Sequence, residues 1–231
     1  MRVLVWITVA LALINLGAQV GLFYLPDFPG RDTAVILFDP GREANLPTTF
    51  SGGLLLLSAL LLWAIALGKR RGHDPFSASW SVLSWVFLYL CLDELSSIHD
   101  TAIVPLRRLL HAGGALHYAW VIPYGIVVVV LLLGMVRFLA HLPTPTRRLF
   151  LLSGTLYVGA ALGMELLEGY FASRFGNMAF AGAMNVALEE FLEMVGVVIF
   201  IAALLAYIRD SLPGFALRVD VGPETRAAGQ E

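Results

Sequence analysis

Residues 118–141 read YAWVIPYGIVVVVLLLGMVRFLAH, with Val127 to Val130 followed by Leu131 to Leu133 at the centre and no acidic residue anywhere. About 20 residues of helix cross the hydrocarbon core of a bilayer, so this run is long enough to span it. Its uniformly apolar surface is what a peripheral, lipid-facing helix presents. Five more runs of this kind can be drawn, at residues 2–24, 50–68, 80–106, 149–172 and 184–208. Of the 231 residues, 58% are hydrophobic and only 14% are charged, and the mean hydropathy is +0.80. Soluble domains lie nearer half apolar and a quarter charged. The chain is therefore expected to be all-α, a polytopic transmembrane helix bundle of about six spans. Residues 1–210 form one transmembrane domain in this reading, and residues 211–231 a polar, flexible tail.

A net charge of −2 offers nothing to a nucleic acid. Cys91 is the only cysteine, which excludes an intrachain disulfide and a thiolate cluster. It lies in an apolar run, where a free thiol serves as a small buried hydrophobe. The apolar stretch after Arg2 is longer than the 7–15 residues of a secretory h-region, so it reads as a retained helix.

Basic residues set the orientation. With the N-terminus in the cytoplasm, ten Lys and Arg fall inside, Lys69, Arg70 and Arg71 among them, and five outside. Both termini are then cytoplasmic, in a multi-pass protein of a cell membrane, the bacterial inner or plasma membrane. Residues 25–49 become a long external loop, in which Ala34 to Phe38 reads as a re-entrant or interfacial segment. Residues 107–117 and 173–183 are shorter external connections, and His111 and His117 read as solvated there.

Three runs break the apolar pattern. The third contains Leu92-Asp93-Glu94-Leu95-Ser96-Ser97-Ile98-His99-Asp100, the fifth Glu165-Leu166-Leu167-Glu168, and the sixth Glu189-Glu190-Phe191-Leu192-Glu193. A charge near the bilayer centre costs roughly 2.5–3.5 kcal/mol on insertion scales, and such residues face the bundle interior. No Lys or Arg shares these segments; Arg107, Arg108 and Arg174 approach only from the external ends. At 1.5 Å per residue, Asp93 and Glu94 lie about 20 Å from the cytoplasmic end, Glu165 about 24 Å, and Glu193 about 14 Å from the external end. All eight acids thus share the outer half of the membrane, and Asn15 and Gln19 of the first run reach a comparable depth.

Helical faces refine this. Asp93, Ser96, Ser97 and Asp100 form one stripe, with Glu94 and His99 on opposite flanks, so those two cannot aim at one point from an undistorted helix. Asn185, Glu189, Glu193 and Gly196 form a second stripe, with Glu190 on its flank. Glu165 and Glu168 are i, i+3 neighbours, with Tyr157 on the Glu168 side.

The candidate metal-site residues are Asp93, Glu94, His99, Asp100, Glu165, Glu168, Glu189, Glu190 and Glu193. An oxygen-rich donor set with one imidazole suits Mg²⁺, Ca²⁺, Mn²⁺ or iron. The Glu-x-x-His pairs of di-iron bundles are missing. The expected partners are the lipid bilayer and a small cation or proton. Three other readings stay open: a cation- or proton-coupled transporter or channel, a metal-dependent membrane enzyme, and a structural polar network. A pathway would have to continue through sparse inner groups such as Ser58, Ser81 and Ser84. An enzyme would draw on His99, Tyr157 or Tyr170, without any nucleophile elbow, zinc motif or phosphate loop. Asp100, Glu168 and Glu189 also fit headgroup-level charges or helix caps.

The strings Leu92-Asp93-Glu94, Ile98-His99-Asp100 and Glu189-Glu190-x-x-Glu193-x-x-Gly196 resemble a group of uncharacterised bacterial multi-pass membrane proteins. The resemblance covers mainly the third and sixth runs, and this chain has Asp100 where that pattern commonly has Glu. It implies the architecture and the choice of residues, and no activity. The chain lacks the sixth-span lysine of rhodopsins and the His-rich motifs of ceramidase-like membrane hydrolases.

Overall fold

In a computed structural model, residues 1–42, 44–175 and 180–212 are described, and all regular structure among them is helical. The expected tail beyond Leu212, Glu43 of the first external loop and residues 176–179 of the last one lie outside the described residues. The elements are α1 (Arg2–Tyr24), α2 (Arg31–Phe38), α3 (Leu46–Arg71), α4 (Ser77–Ser96), α5 (Ile98–Leu110), α6 (Val121–His141), α7 (Thr144–Val158), α8 (Glu165–Phe175) and α9 (Phe180–Ser211). A π-helical turn, Gly159–Met164, joins α7 to α8 without a break in direction, and a 3₁₀ turn, Gly114–Leu116, precedes α6. Six helices are long and apolar enough to cross a membrane: α1, α3, α4, α6, the continuous segment Thr144–Arg174, and α9. The chain is a multi-pass membrane protein.

Local chemistry accounts for the ends of these spans. Asn45 caps α3, its side-chain oxygen accepting the Thr48 N–H at 2.7 Å. Lys69, Arg70 and Arg71 close the same helix, where positive charge complements the carbonyl end of the macrodipole. The apolar segment Ala34 to Phe38 falls within the short helix α2, which packs on α1 and buries Val35.

The third run is not one helix of 80–106, as the sequence predicts. Ser97 adopts a left-handed conformation, φ +45°, which ends α4 and starts α5 in a new direction. Left-handed backbone costs a residue with a Cβ, so it persists only where neighbouring bonds hold it.

Helix α9 is the axis, packed against α1, α3 and α7, while α3 runs along α4. Two apolar clusters fill the bundle, one at the end near Lys69–Arg71 and the other at mid-depth. In one, Trp80 meets Phe138 and Tyr207 at ring-centroid distances of 4.9 and 4.8 Å. In the other, Leu55, Cys91, Val197 and Ile201 interlock. Phe87 stacks on Phe200 at 4.5 Å. As its sequence suggests, α6 leaves Val127, Val129, Val130, Leu132 and Leu133 exposed. The polar residues gather at the opposite end of the bundle.

Gly196 sets the spacing of α7 and α9, because a Cβ there would lie 3.1 Å from both the Ser153 carbonyl oxygen and the Tyr157 amide nitrogen. Both obstacles are backbone, so a side chain must push the helices apart. Gly196→Val is expected to destabilise the protein by about 1–3 kcal/mol, read as a lower thermal unfolding midpoint in detergent. Gly134→Val, on the open face of α6 where nothing lies within 4 Å, should leave that midpoint within error.

Candidate functional site

The break at Ser97 creates the first part of the site. Turning the chain brings His99 back over the last turn of α4, where Asp93 receives it twice. One oxygen of Asp93 accepts the His99 backbone N–H at 2.8 Å, and the other pairs with His99 Nδ1 at 3.1 Å. Asp93 thereby caps α5 from a distance, a role that Ser97 does not fill. Tyr124 of α6 donates its hydroxyl to the same Asp93 at 3.3 Å, and Tyr89 of α4 is hydrogen-bonded to Tyr124. The other ring nitrogen of His99 faces Asp100 at 3.5 Å, and the ring lies against Trp120 at 4.7 Å.

The π turn creates the second part. A π segment accommodates extra residues per turn and is frequent at functional sites. Here it resets the face of everything after Met164, turning Glu165 and Glu168 inward. Asn185 of α9 supports it by donating to the Met164 carbonyl at 3.2 Å. Gly169 then lets the 3₁₀ turn approach α8, since a Cβ at Gly169 would stand 2.8 Å from the Ala115 carbonyl oxygen. With that turn in place, Trp120 Nε1 donates to Glu165 at 2.8 Å and the Tyr118 hydroxyl donates to Glu168 at 3.1 Å.

Helix α9 supplies the third wall with Glu189, Glu190 and Glu193. Glu189 and Glu193 are each 8% exposed. One oxygen of Glu94 and one of Glu190 are buried without a hydrogen-bond partner among the described residues. Oxygens of Glu165, Glu168 and Glu189 all lie within 4.8 Å of one another.

These residues surround one cavity of about 330 Å³. All nine side chains singled out in the sequence line it, with Tyr118, Trp120, Tyr124, Tyr157 and a set of aliphatic residues. Among the described lining residues, eight carboxylates face only Arg42 and His99 as basic groups. Arg42 is half exposed and already paired with Asp39 at 3.4 Å. The basic residues expected from the external ends do not line it: Arg107 contacts His117 at 3.0 Å, and Arg174 lies over the Tyr170 ring at 5.6 Å.

Several sequence expectations change here. Glu189 is buried, not a headgroup-level charge, whereas the Asp100 side chain is half exposed at the rim. Asn15 and Gln19 are buried and bonded to each other at 3.4 Å, and α1 contributes no lining residue among those described. His117 is half-buried, not solvated, and it sits outside the spans. Burial first, and then the Arg107 charge, hold its pKa below the ordinary imidazole value. Trp120 and Tyr118 were missed because they open a run that otherwise reads as lipid-facing. Their one available signal was position, at the polar end of that run.

A model of the family described as a domain of unknown function, DUF8692, matches residues 3–208. No curated protein matches the chain. No solved structure matches it either. With nearly the whole membrane-embedded part covered by that model, the chain belongs to the DUF8692 family.

Proposed function

We propose that the protein is a membrane cation-binding protein, in which Glu165, Glu168 and Glu189 hold a hard divalent cation. The observation that carries this reading is the convergence of three carboxylates from two helices within 4.8 Å, in a cavity with a large excess of acid over base. Like charges placed this close in a low-dielectric site repel unless a cation or protons offset them. An all-oxygen donor set favours Mg²⁺, Ca²⁺, Mn²⁺ or Fe²⁺ over softer ions. Trp120 and Tyr118 each occupy one oxygen of Glu165 and Glu168. Such outer bonds orient ligands and leave the second oxygen for the ion. His99 stays outside this ligand set, because both of its ring nitrogens face carboxylates.

The apolar end of the bundle supports a one-ended cavity over a through-pathway. Ser58, Ser81 and Ser84 spend their hydroxyls on the Leu54, Ser77 and Ala59 carbonyls. The stacked Phe87 and Phe200 and the cluster around Trp80 lie on the way to Lys69–Arg71. With both termini cytoplasmic in a bacterial plasma membrane, the cavity opens to the external side.

Two measurements test this. Detergent-purified protein supplied with Mg²⁺, Ca²⁺, Mn²⁺ and Fe²⁺ without chelators should retain close to one equivalent of metal. The Glu165→Gln/Glu189→Gln variant should lose most of it while keeping its elution profile. Sub-stoichiometric metal in both would overturn the metal reading. For orientation, in a Cys91→Ala background, Gly113→Cys should react with an impermeant maleimide on intact cells and Gly72→Cys only after lysis. The reverse pattern would place the cavity on the cytoplasmic side.

A further inference from the structure

The carboxylates lie in two tiers. Glu165, Glu168 and Glu189 form the outer one; the inner one centres on Glu193, a turn farther along α9 toward the apolar end, with Glu190 and, from the last turn of α4, Glu94 beside it. Glu189 and Glu193 are separated by about 6 Å of helix rise. The inner tier is not used by the metal reading, and its chemistry differs. Glu193 is buried to 8% exposure, lines the cavity and makes no hydrogen bond among the described residues. Among the described residues one oxygen of Glu190 is buried without a hydrogen-bond partner, and Glu94 has only the neighbouring Ser51 hydroxyl beside it. Buried carboxylate oxygens without donors are costly and call for an occupant that supplies N–H or O–H groups.

Size and lining describe that occupant. A cavity of about 330 Å³ is of small-molecule dimensions, whereas a single water or ion needs on the order of 30 Å³. Its wall joins Leu90, Val128, Val158 and Leu162 to Tyr124 and Tyr157, which suits an aliphatic body beside a charged head. The compact three-oxygen convergence occurs in the outer tier and in no other group among the described residues. The inner oxygens therefore suit a donor with longer reach. An ammonium group bonds carboxylates at about 2.7–2.9 Å, compared with about 2.0–2.1 Å for Mg²⁺, and it carries three donors. Aromatic faces add cation–π attraction to the same head.

We propose that the inner tier binds the ammonium group of an aliphatic primary amine, whose hydrocarbon part fills the apolar wall of the cavity. The proposal rests on the cavity being a cation site, but not on the outer metal. Its test is calorimetric titration of the detergent-purified full chain with n-butylamine, with tetramethylammonium and Na⁺ as comparison cations. Saturable butylamine binding is expected for the native protein and for Glu165→Gln/Glu189→Gln. At least a tenfold loss is expected in Glu190→Gln/Glu193→Gln and in Glu94→Gln. Tetramethylammonium, which donates no hydrogen bond, and Na⁺, which has no body, should bind at least tenfold more weakly. Unfolding midpoints of the same variants with and without amine establish that each is folded.

Butylamine binding that survives in folded Glu190→Gln/Glu193→Gln would overturn the assignment, as would equal binding of the comparison cations or none by the native protein. Loss of amine binding only in Glu165→Gln/Glu189→Gln would place the amine in the outer tier and also overturn it. Sub-stoichiometric metal in the native protein, with amine binding intact, would fail the metal reading alone.

Discussion

Eight carboxylates share one cavity in a bundle whose other end is apolar, and among the described residues only Arg42 and His99 line it as basic groups. In a low-dielectric interior, charge of one sign is held only by charge of the other, by donors, or by protonation. The donors present are consistent with a partial solution. Asp93 is saturated by the His99 amide, the His99 ring and Tyr124, while Glu165 and Glu168 each receive one aromatic donor. The α9 acids receive none among the described residues. That gradient, from the satisfied Asp93 through Glu165 and Glu168 to the unsatisfied acids of α9, is why an external cation is the natural complement.

The backbone makes this arrangement through departures from regular helix. Ser97 folds α5 back so that His99 reaches Asp93, and the π turn at Gly159–Met164 aims Glu165 and Glu168 at α9. Both sit next to the cavity; Asp93 of the site supports the first, and Asn185, one turn before Glu189 on α9, supports the second. Strain located beside function is the usual pattern. The close contacts at Gly169 and Gly196 serve the same end, one seating the loop that carries Tyr118 and Trp120, the other holding α7 against α9.

Much of this was legible in the amino-acid sequence, for a physical reason. Lipid imposes a length and an apolar composition on every span, so the six runs stand out, and an acid inside such a run must face inward. The same logic selects the nine residues that line the cavity. The rest depends on tertiary contacts with weak local signatures. Ser96-Ser97 carries neither Gly nor Pro to mark a break, so α4 and α5 read as one helix, on which Glu94 and His99 fall on opposite flanks. The π turn differs from a small-residue helical stretch only in its hydrogen bonds. Asn15 and Gln19 share the depth of the site, yet depth says nothing of direction, and they satisfy each other. Trp120 and Tyr118 were hidden by the lipid-facing run that follows them.

The central claim is that Glu165, Glu168 and Glu189 converge on a cation, not merely on one another. Crystals grown with Mn²⁺ and measured at the manganese absorption edge test this most directly. The expected result is an anomalous difference peak bounded by these three carboxylates, absent in crystals of Glu165→Gln/Glu189→Gln. A map with no peak there, or with manganese bound only at surface acids, would contradict the account.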